Sequence, residues 1–150
     1  MQADKEILNT LRPPVSQWIE AFNTHNVAAI VALYTEDATL FDSGMKHPRH
    51  GRAEIERWFS SRFRTMPTIT YTLTGHVFMQ ETQAAITWTT HGQGPRLLGQ
   101  SWLTCPFHVD GVSVFTLQDG LIQSQRGYYD HLAALEQMLP PLHWLHLPRL

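Results

Sequence analysis

The stretch GVSVFTLQDGLIQSQRGYYD, residues 111–130, decides the fold. Asp119-Gly120 sits between two runs rich in β-branched, aromatic and alternating residues. Such a pair marks a two-residue hairpin, because a tight antiparallel turn needs left-handed backbone that Asp and Gly tolerate. Strands are therefore expected over Gly111–Leu117 and Leu121–Asp130. Working back along the chain, Thr68–Gln80, Thr82–His91 and Leu97–Thr104 have the same Thr, Ile, Val and aromatic character and predict further strands. Gly92-Gln93-Gly94-Pro95 predicts a turn between the last two.

Upstream, the hydrophobic period changes. After Pro13-Pro14, which suit a first helical turn, Val15, Trp18, Ile19 and Phe22 recur at helical spacing. Asn26 predicts the cap of a second helix carrying Val27, Ile30, Val31 and Tyr34. Ala38–Asp42 alternates as a short strand, and Ser43–Gly51, with its Gly, Pro and His, reads as a loop. Ile55, Trp58, Phe59 and Phe63 then define a third helix, ended by Pro67. A last short helix is expected over His131–Leu139, stopped by Pro140-Pro141. Helices followed by a run of strands give an α+β class with an antiparallel sheet rather than a βαβ alternation.

At 150 residues the chain fits one domain, with a core over about 15–138 and a C-terminal tail, 139–150, whose Trp144, Leu145 and Leu147 are expected to pack on the body. Lys and Arg are scattered and the net charge is −2, so there is no basic footprint for nucleic acid. No apolar run is long enough to span a membrane and the start is polar, so the expected location is cytoplasmic, without membrane association. The single cysteine, Cys105, rules out an intramolecular disulfide and any multi-cysteine metal site. Nine histidines lack metal-ligand spacing, so no metal is expected. With no nucleotide or phosphate-binding motif and no covalent-catalysis motif, no cofactor is expected either, which leaves cofactor-free proton transfer.

Three segments carry a family resemblance. They are Ala29–Asp42 (AIVALYTEDATLFD), His50–Ile55 (HGRAEI), and Gly111–Ile122 with Tyr128-Tyr129-Asp130. In order and spacing they resemble the nuclear transport factor 2-like superfamily, in particular its SnoaL-like and ketosteroid-isomerase-like members. The resemblance implies a cone-like curved sheet, or half barrel, with N-terminal helices closing an apolar pocket. It also implies a homodimer through the outer sheet face and a small apolar ligand. The fold hosts isomerases, cyclases, dehydratases, epoxide hydrolases and non-catalytic binders, so it names no single function.

Asp42 is the first catalytic candidate. Alternation points it inward with Ala38 and Leu40, where a carboxylate loses hydration, as a general base working near neutral pH requires. Its other reading is a strand-end Asp capping the Ser43-Gly44 turn. The resemblance places Asp42 at the position of the steroid isomerases' general base. Those enzymes complete their site with a Tyr and a protonated Asp. The positions that align with them are Trp18 and Ser113, which argues against steroid isomerisation. Asp130 is the second candidate. It resembles the acid/base Asp at the end of the last strand in SnoaL-like cyclases and limonene-epoxide-hydrolase-like enzymes, and it equally suits the cap of the last helix. Strand parity leaves open which face of the last strand is inward, since one bulge reverses it.

Aromatic candidates for the pocket lining are Trp18, Tyr34, Phe59, Trp88, Phe115 and Tyr129, with core packing the plainer role for Trp18 and Tyr34. Ser113 and Gln125 are the polar ones. His91 and His131 are possible acid/base partners, and Arg126 either pairs with a carboxylate inside or lies on the outer face. Two functions stay open. One is a cofactor-independent enzyme in which Asp42, with or without Asp130, moves protons on a small apolar carbonyl or epoxide. The other is a non-catalytic module in which the same cavity binds a ligand or the domain only dimerises.

Overall fold

The computed structural model describes residues 10–94 and 105–138. The strand expected over Leu97–Thr104 and the tail from Leu139 onward lie outside the described residues. Two helices open the described chain, α1 (Val15–Asn23) and α2 (Val27–Ala32). Strand β1 (Tyr34–Asp42), the short β2 (Arg49–His50) and helix α3 (Gly51–Thr65) follow. Strands β3 (Thr70–Met79), β4 (Gln83–Gln93), β5 (Pro106–Gln118) and β6 (Leu121–Tyr129) build the rest of the sheet, and α4 (His131–Met138) closes the described chain. Among the described residues no helix is long and apolar enough to cross a membrane.

The sequence signals have direct physical counterparts. Asn26 caps α2, its side chain accepting from the Ala29 N–H at 3.0 Å. Asp119 and Gly120 both take positive φ, 52° and 76°, and join β5 to β6 in a two-residue turn. Val15, Trp18, Ile19 and Phe22 are the buried face of α1, and Ile55, Phe59 and Phe63 that of α3. β4 alternates as its residues demand, with Ala84, Ile86, Trp88 and Thr90 inward.

The six strands form one curved, open sheet in the order β2-β1-β6-β5-β4-β3. All pairs are antiparallel except β1 and β6, which run parallel. Hairpin signals fix neighbours along the chain, but β1 and β6 are distant in sequence and no turn reveals their sense. β1 also begins at Tyr34 rather than Ala38, because the polar Thr35-Glu36-Asp37 stretch breaks the alternation that marks a strand.

The parallel pairing positions the site. β1 and β6 end at the same edge of the cone, with Asp42 opposite Gly127 and Tyr129 two residues further on. A bulge sits early in β6, where the partner of Thr116 is Ser124 but that of Leu117 is Ile122. It resolves the parity of the last strand: Ile122 is inward before it, and Gln125 and Gly127 are inward after it.

The candidate active site

Aromatic side chains fill the deep part of the cone. Phe22 stacks on Tyr71 at 4.1 Å, and Tyr71 on Trp88 at 4.4 Å with the rings 5° from parallel. Trp18 packs against Phe22, Phe59 and Phe115. Gly111 makes room for this arrangement, since a Cβ there would lie 2.4 Å from the Trp88 ring. The polar atoms in this layer satisfy one another. Trp18 donates its indole N–H to the Tyr34 hydroxyl at 3.0 Å, and Tyr34 donates to Gln125 Oε1. Trp88 donates to Ser113 Oγ at 2.9 Å. Burial pushes the Tyr34 and Tyr71 phenols well above the ordinary tyrosine range.

Asp42 ends β1 and is 8% exposed. Its Oδ1 accepts from the Gly44 N–H at 2.8 Å, while the turn closes with Met45 N–H donating to the Asp42 carbonyl. The carboxylate is thus both turn-capping and inward-facing. Oδ2 looks across to Gly127, where a Cβ would be 3.7 Å away, so β6 leaves it uncovered. The turn is stitched to the end of β6: Ser43 N–H donates to the Gly127 carbonyl, and Ser43 Oγ bridges the Tyr129 N–H and carbonyl at 3.3 and 3.2 Å. Asp42 and Tyr129 are therefore held side by side by backbone.

The Tyr129 hydroxyl interacts with both the Asp42 carboxylate and the Arg62 guanidinium of α3. Burial and the neighbouring Asp42 charge push the Tyr129 phenol up to about 12, against the weaker pull of Arg62. Burial works against the Arg62 charge, but Tyr71, Asp42 and Tyr129 outweigh it and raise its pKa. Arg62 thus stays a cation. Trp58 lies under two guanidiniums, those of Arg49 and Arg62, at 5.5 and 5.8 Å.

Two spaces meet at Arg62 and Trp58, which line both. The smaller, about 10 Å³, lies against Asp42, Phe59, Ser113 and Gln125 and has room for roughly one water. The larger, about 130 Å³, is walled by Trp88, Met66, Phe107, Val109, Ala134 and Met138 and rimmed by Gly44, Tyr129 and His131. Among the described residues no three His, Cys, Asp or Glu side chains group together as metal ligands would.

Of the sequence candidates, the structure brings together Asp42 and Tyr129, with Trp18, Phe59, Ser113 and Gln125 around the smaller space and Trp88 and Tyr129 at the larger. Tyr34 and Phe115 are fully buried and line neither. Asp130 is exposed and caps α4, Oδ1 accepting from the Ala133 N–H at 2.9 Å. His91 is exposed on the outer face, while His131 borders the larger cavity. Arg126 lies outside, over the Phe41 ring. Arg62 was missed by sequence reasoning. It sits among Ser60, Ser61 and Arg64 on a polar run, and the one available signal was its spacing: it lies four residues beyond Trp58 and three beyond Phe59.

A family model described as SnoaL-like domain matches residues 15–125. No curated protein matches the sequence. Solved structures match over nearly the whole chain. One is a protein with a ketosteroid isomerase-like fold from Catenulispora acidiphila, solved in complex with trimethylamine. It is 23% identical with TM-score 0.72, covering 86% of this chain and 96% of that one. A second is SalBIII, described as an epoxide hydrolase/cyclase-like enzyme in pyran ring formation in polyether salinomycin. It is 26% identical with TM-score 0.66, covering 88% and 94%. A third is a candidate SnoaL-like polyketide cyclase from Shewanella putrefaciens, 12% identical with TM-score 0.75, covering 91% and 93%.

Proposed function

The chain belongs to the SnoaL-like domain family, and from that premise we propose that it is a cofactor-independent enzyme that moves a proton on a small apolar carbonyl or epoxide substrate. One observation carries the reading: a buried carboxylate, Asp42, shares a neutral phenol, Tyr129, with a cation, Arg62, where a water-sized space meets a ligand-sized one. In this reading the substrate occupies the larger cavity and turns its oxygen to Tyr129 and Arg62. Tyr129 stays protonated at neutral pH and donates to that oxygen, and the guanidinium balances the negative charge that develops there. Asp42 takes the proton, directly or through one water in the smaller space. The same parts serve isomerisation, cyclisation, dehydration or epoxide opening, and SalBIII, described as epoxide hydrolase/cyclase-like, offers one chemical analogy. Asp130, capping a helix at the surface, takes no part in this scheme.

A second reading has its own support. Asp42 does not itself line the larger cavity, whose walls are mainly apolar, as a ligand-binding module of the same fold requires. Proton exchange separates the two. The protein is incubated in D₂O with a panel of small ketones, β-dicarbonyls and epoxides, and proton NMR follows exchange and ring opening. The enzyme reading expects at least one compound to react, with at least a ~10²-fold loss in Asp42→Asn. Compounds that bind without exchanging or opening would sink it in favour of the binding module.

A further inference from the structure

The wall of the larger cavity contains one misfit. Thr90 is 4% exposed, lines that cavity, and its Oγ1 has no hydrogen-bond partner among the described residues. Around it the wall is Trp88, Phe107, Val109, Met66 and Met138. A buried hydroxyl without a partner destabilises a fold, and an apolar residue of the same shape would not. The neighbouring polar groups of the core are all paired: Ser113 with Trp88, and Tyr34 with Trp18 and Gln125. Thr90 is therefore an exception set where a ligand would touch it.

The sheet register says where it lies relative to the reacting groups. Tyr129 pairs with Gly111, and Gly111 with Trp88. Thr90 is two residues beyond Trp88 on the same face, two strands across from Tyr129. Strand spacing and rise put the two Cα atoms on the order of 10 Å apart. Tyr129, Arg62 and His131 give the cavity its charged and aromatic polar groups, and Thr90 lines it among Trp88, Phe107 and Val109. Its volume, about 130 Å³, is close to that of a protein cavity of about 150 Å³ that holds benzene.

We propose that Thr90 is the polar anchor of the ligand site, and that the substrate is a monocyclic or equally small molecule bearing a hydroxyl or carbonyl group remote from its reacting end. This rests on the acid–base reading for which end reacts. The anchoring itself does not, since it concerns only binding. A cavity of about 130 Å³ among the described residues matches one ring in size.

Phenol and toluene, which differ by hydroxyl against methyl, are the probes. Binding is read from the fluorescence of Trp58 and Trp88 in the cavity wall and from ligand-induced shifts in melting temperature. The wild-type protein is expected to prefer phenol about tenfold. Thr90→Val should lose that preference through a fall in phenol affinity, with toluene unchanged or tighter, and Thr90→Ser should restore it. Unliganded, Thr90→Val should melt about 2–4 °C higher, because a buried hydroxyl with no partner among the described residues is gone. Equal phenol affinity in wild type and Thr90→Val would overturn the anchor. Failure of both probes to bind would overturn the substrate class. Neither result depends on proton transfer, so Asp42→Asn binding phenol normally while losing exchange would bear on the catalytic reading alone.

Discussion

Gly44 lies so close to Tyr129 that a Cβ on it would stand 2.6 Å from the phenolic oxygen, and 3.1 Å from both Asp42 Oδ1 and the His131 ring. The glycine is what lets a phenol, a carboxylate and an imidazole converge at the cavity rim. Its own N–H holds the carboxylate. In Gly44→Ala the added methyl meets the far end of a side chain, so Tyr129 swings away while the backbone holds. The expected outcome is at least a roughly tenfold loss of proton exchange with circular dichroism unchanged. Unchanged exchange would mean that Tyr129 does not act from this position.

The Trp18–Tyr34–Gln125 chain yields a prediction of the opposite kind. All three residues are buried and each polar contact is made inside the protein. Tyr34→Phe removes an acceptor from the Trp18 indole and a donor from Gln125, leaving two buried groups unpaired. The expected cost is about 2–4 kcal/mol, read as a lower urea midpoint at constant slope. Exchange activity at temperatures where the variant is folded should be preserved. A variant of full stability and reduced turnover would reassign Tyr34 to the site.

These two cases mark what the sequence made legible. Helix faces, caps and the Asp119-Gly120 turn follow from local periodicity and backbone preference, and they stand in the structure where the residues put them. The inward face of Asp42 was legible from three alternating residues. Pairing between distant segments was not, because the parallel contact of β1 with β6 leaves no trace in either segment alone. Nor was the identity of the donors. Trp18 and Ser113 align with the positions of the steroid isomerases' donor pair and are candidates for the pocket lining, but Trp18 gives its N–H to Tyr34 and Ser113 accepts from Trp88. The group that brings positive charge to Asp42 is Arg62, one arginine of several on a polar-looking helix. Whether such a side chain folds back over the core depends on Trp58 and Tyr71, which are remote from each other in sequence.

The raised phenol of Tyr129 predicts an alkaline limit. Burial, then the Asp42 charge, holds its pKa near 12 against an ordinary 10.0. The neutral form is the one the fold prefers, so its contribution to stability is full below pH about 10 and is lost as pH rises through about 12. Tyr34 and Tyr71 are raised as well and act in the same direction. Urea midpoints should therefore be flat with respect to these groups up to pH about 10 and fall above it, with phenolate absorbance appearing late. Tyr129→Phe should show a smaller fall. An identical fall in that variant would mean that Tyr129 is not among the strained phenols.

The outer face of the sheet carries the last prediction. One register row crosses five strands, from Phe78 through Ala85, Val114 and Arg126 to Phe41. Phe78 is 52% exposed and Val114 41%, and Tyr128, 42% exposed, is two residues from Arg126 on the same side. Inward, the same strands bury Ile86, Trp88, Phe115 and Ile122, so the sheet is apolar on one face and partly apolar on the other. An antiparallel sheet tolerates a wet face, but a row that is aromatic and aliphatic except for Arg126 is exposed at a cost. A second copy applied to this face would cover the row. Light scattering at micromolar concentration should then give a mass near twice 17.2 kDa. Val114→Lys puts one charge per subunit at the middle of the row and should shift the protein to monomer while leaving the melting curve of the isolated subunit intact. A wild-type mass equal to that of one chain would show that the row is simply solvated.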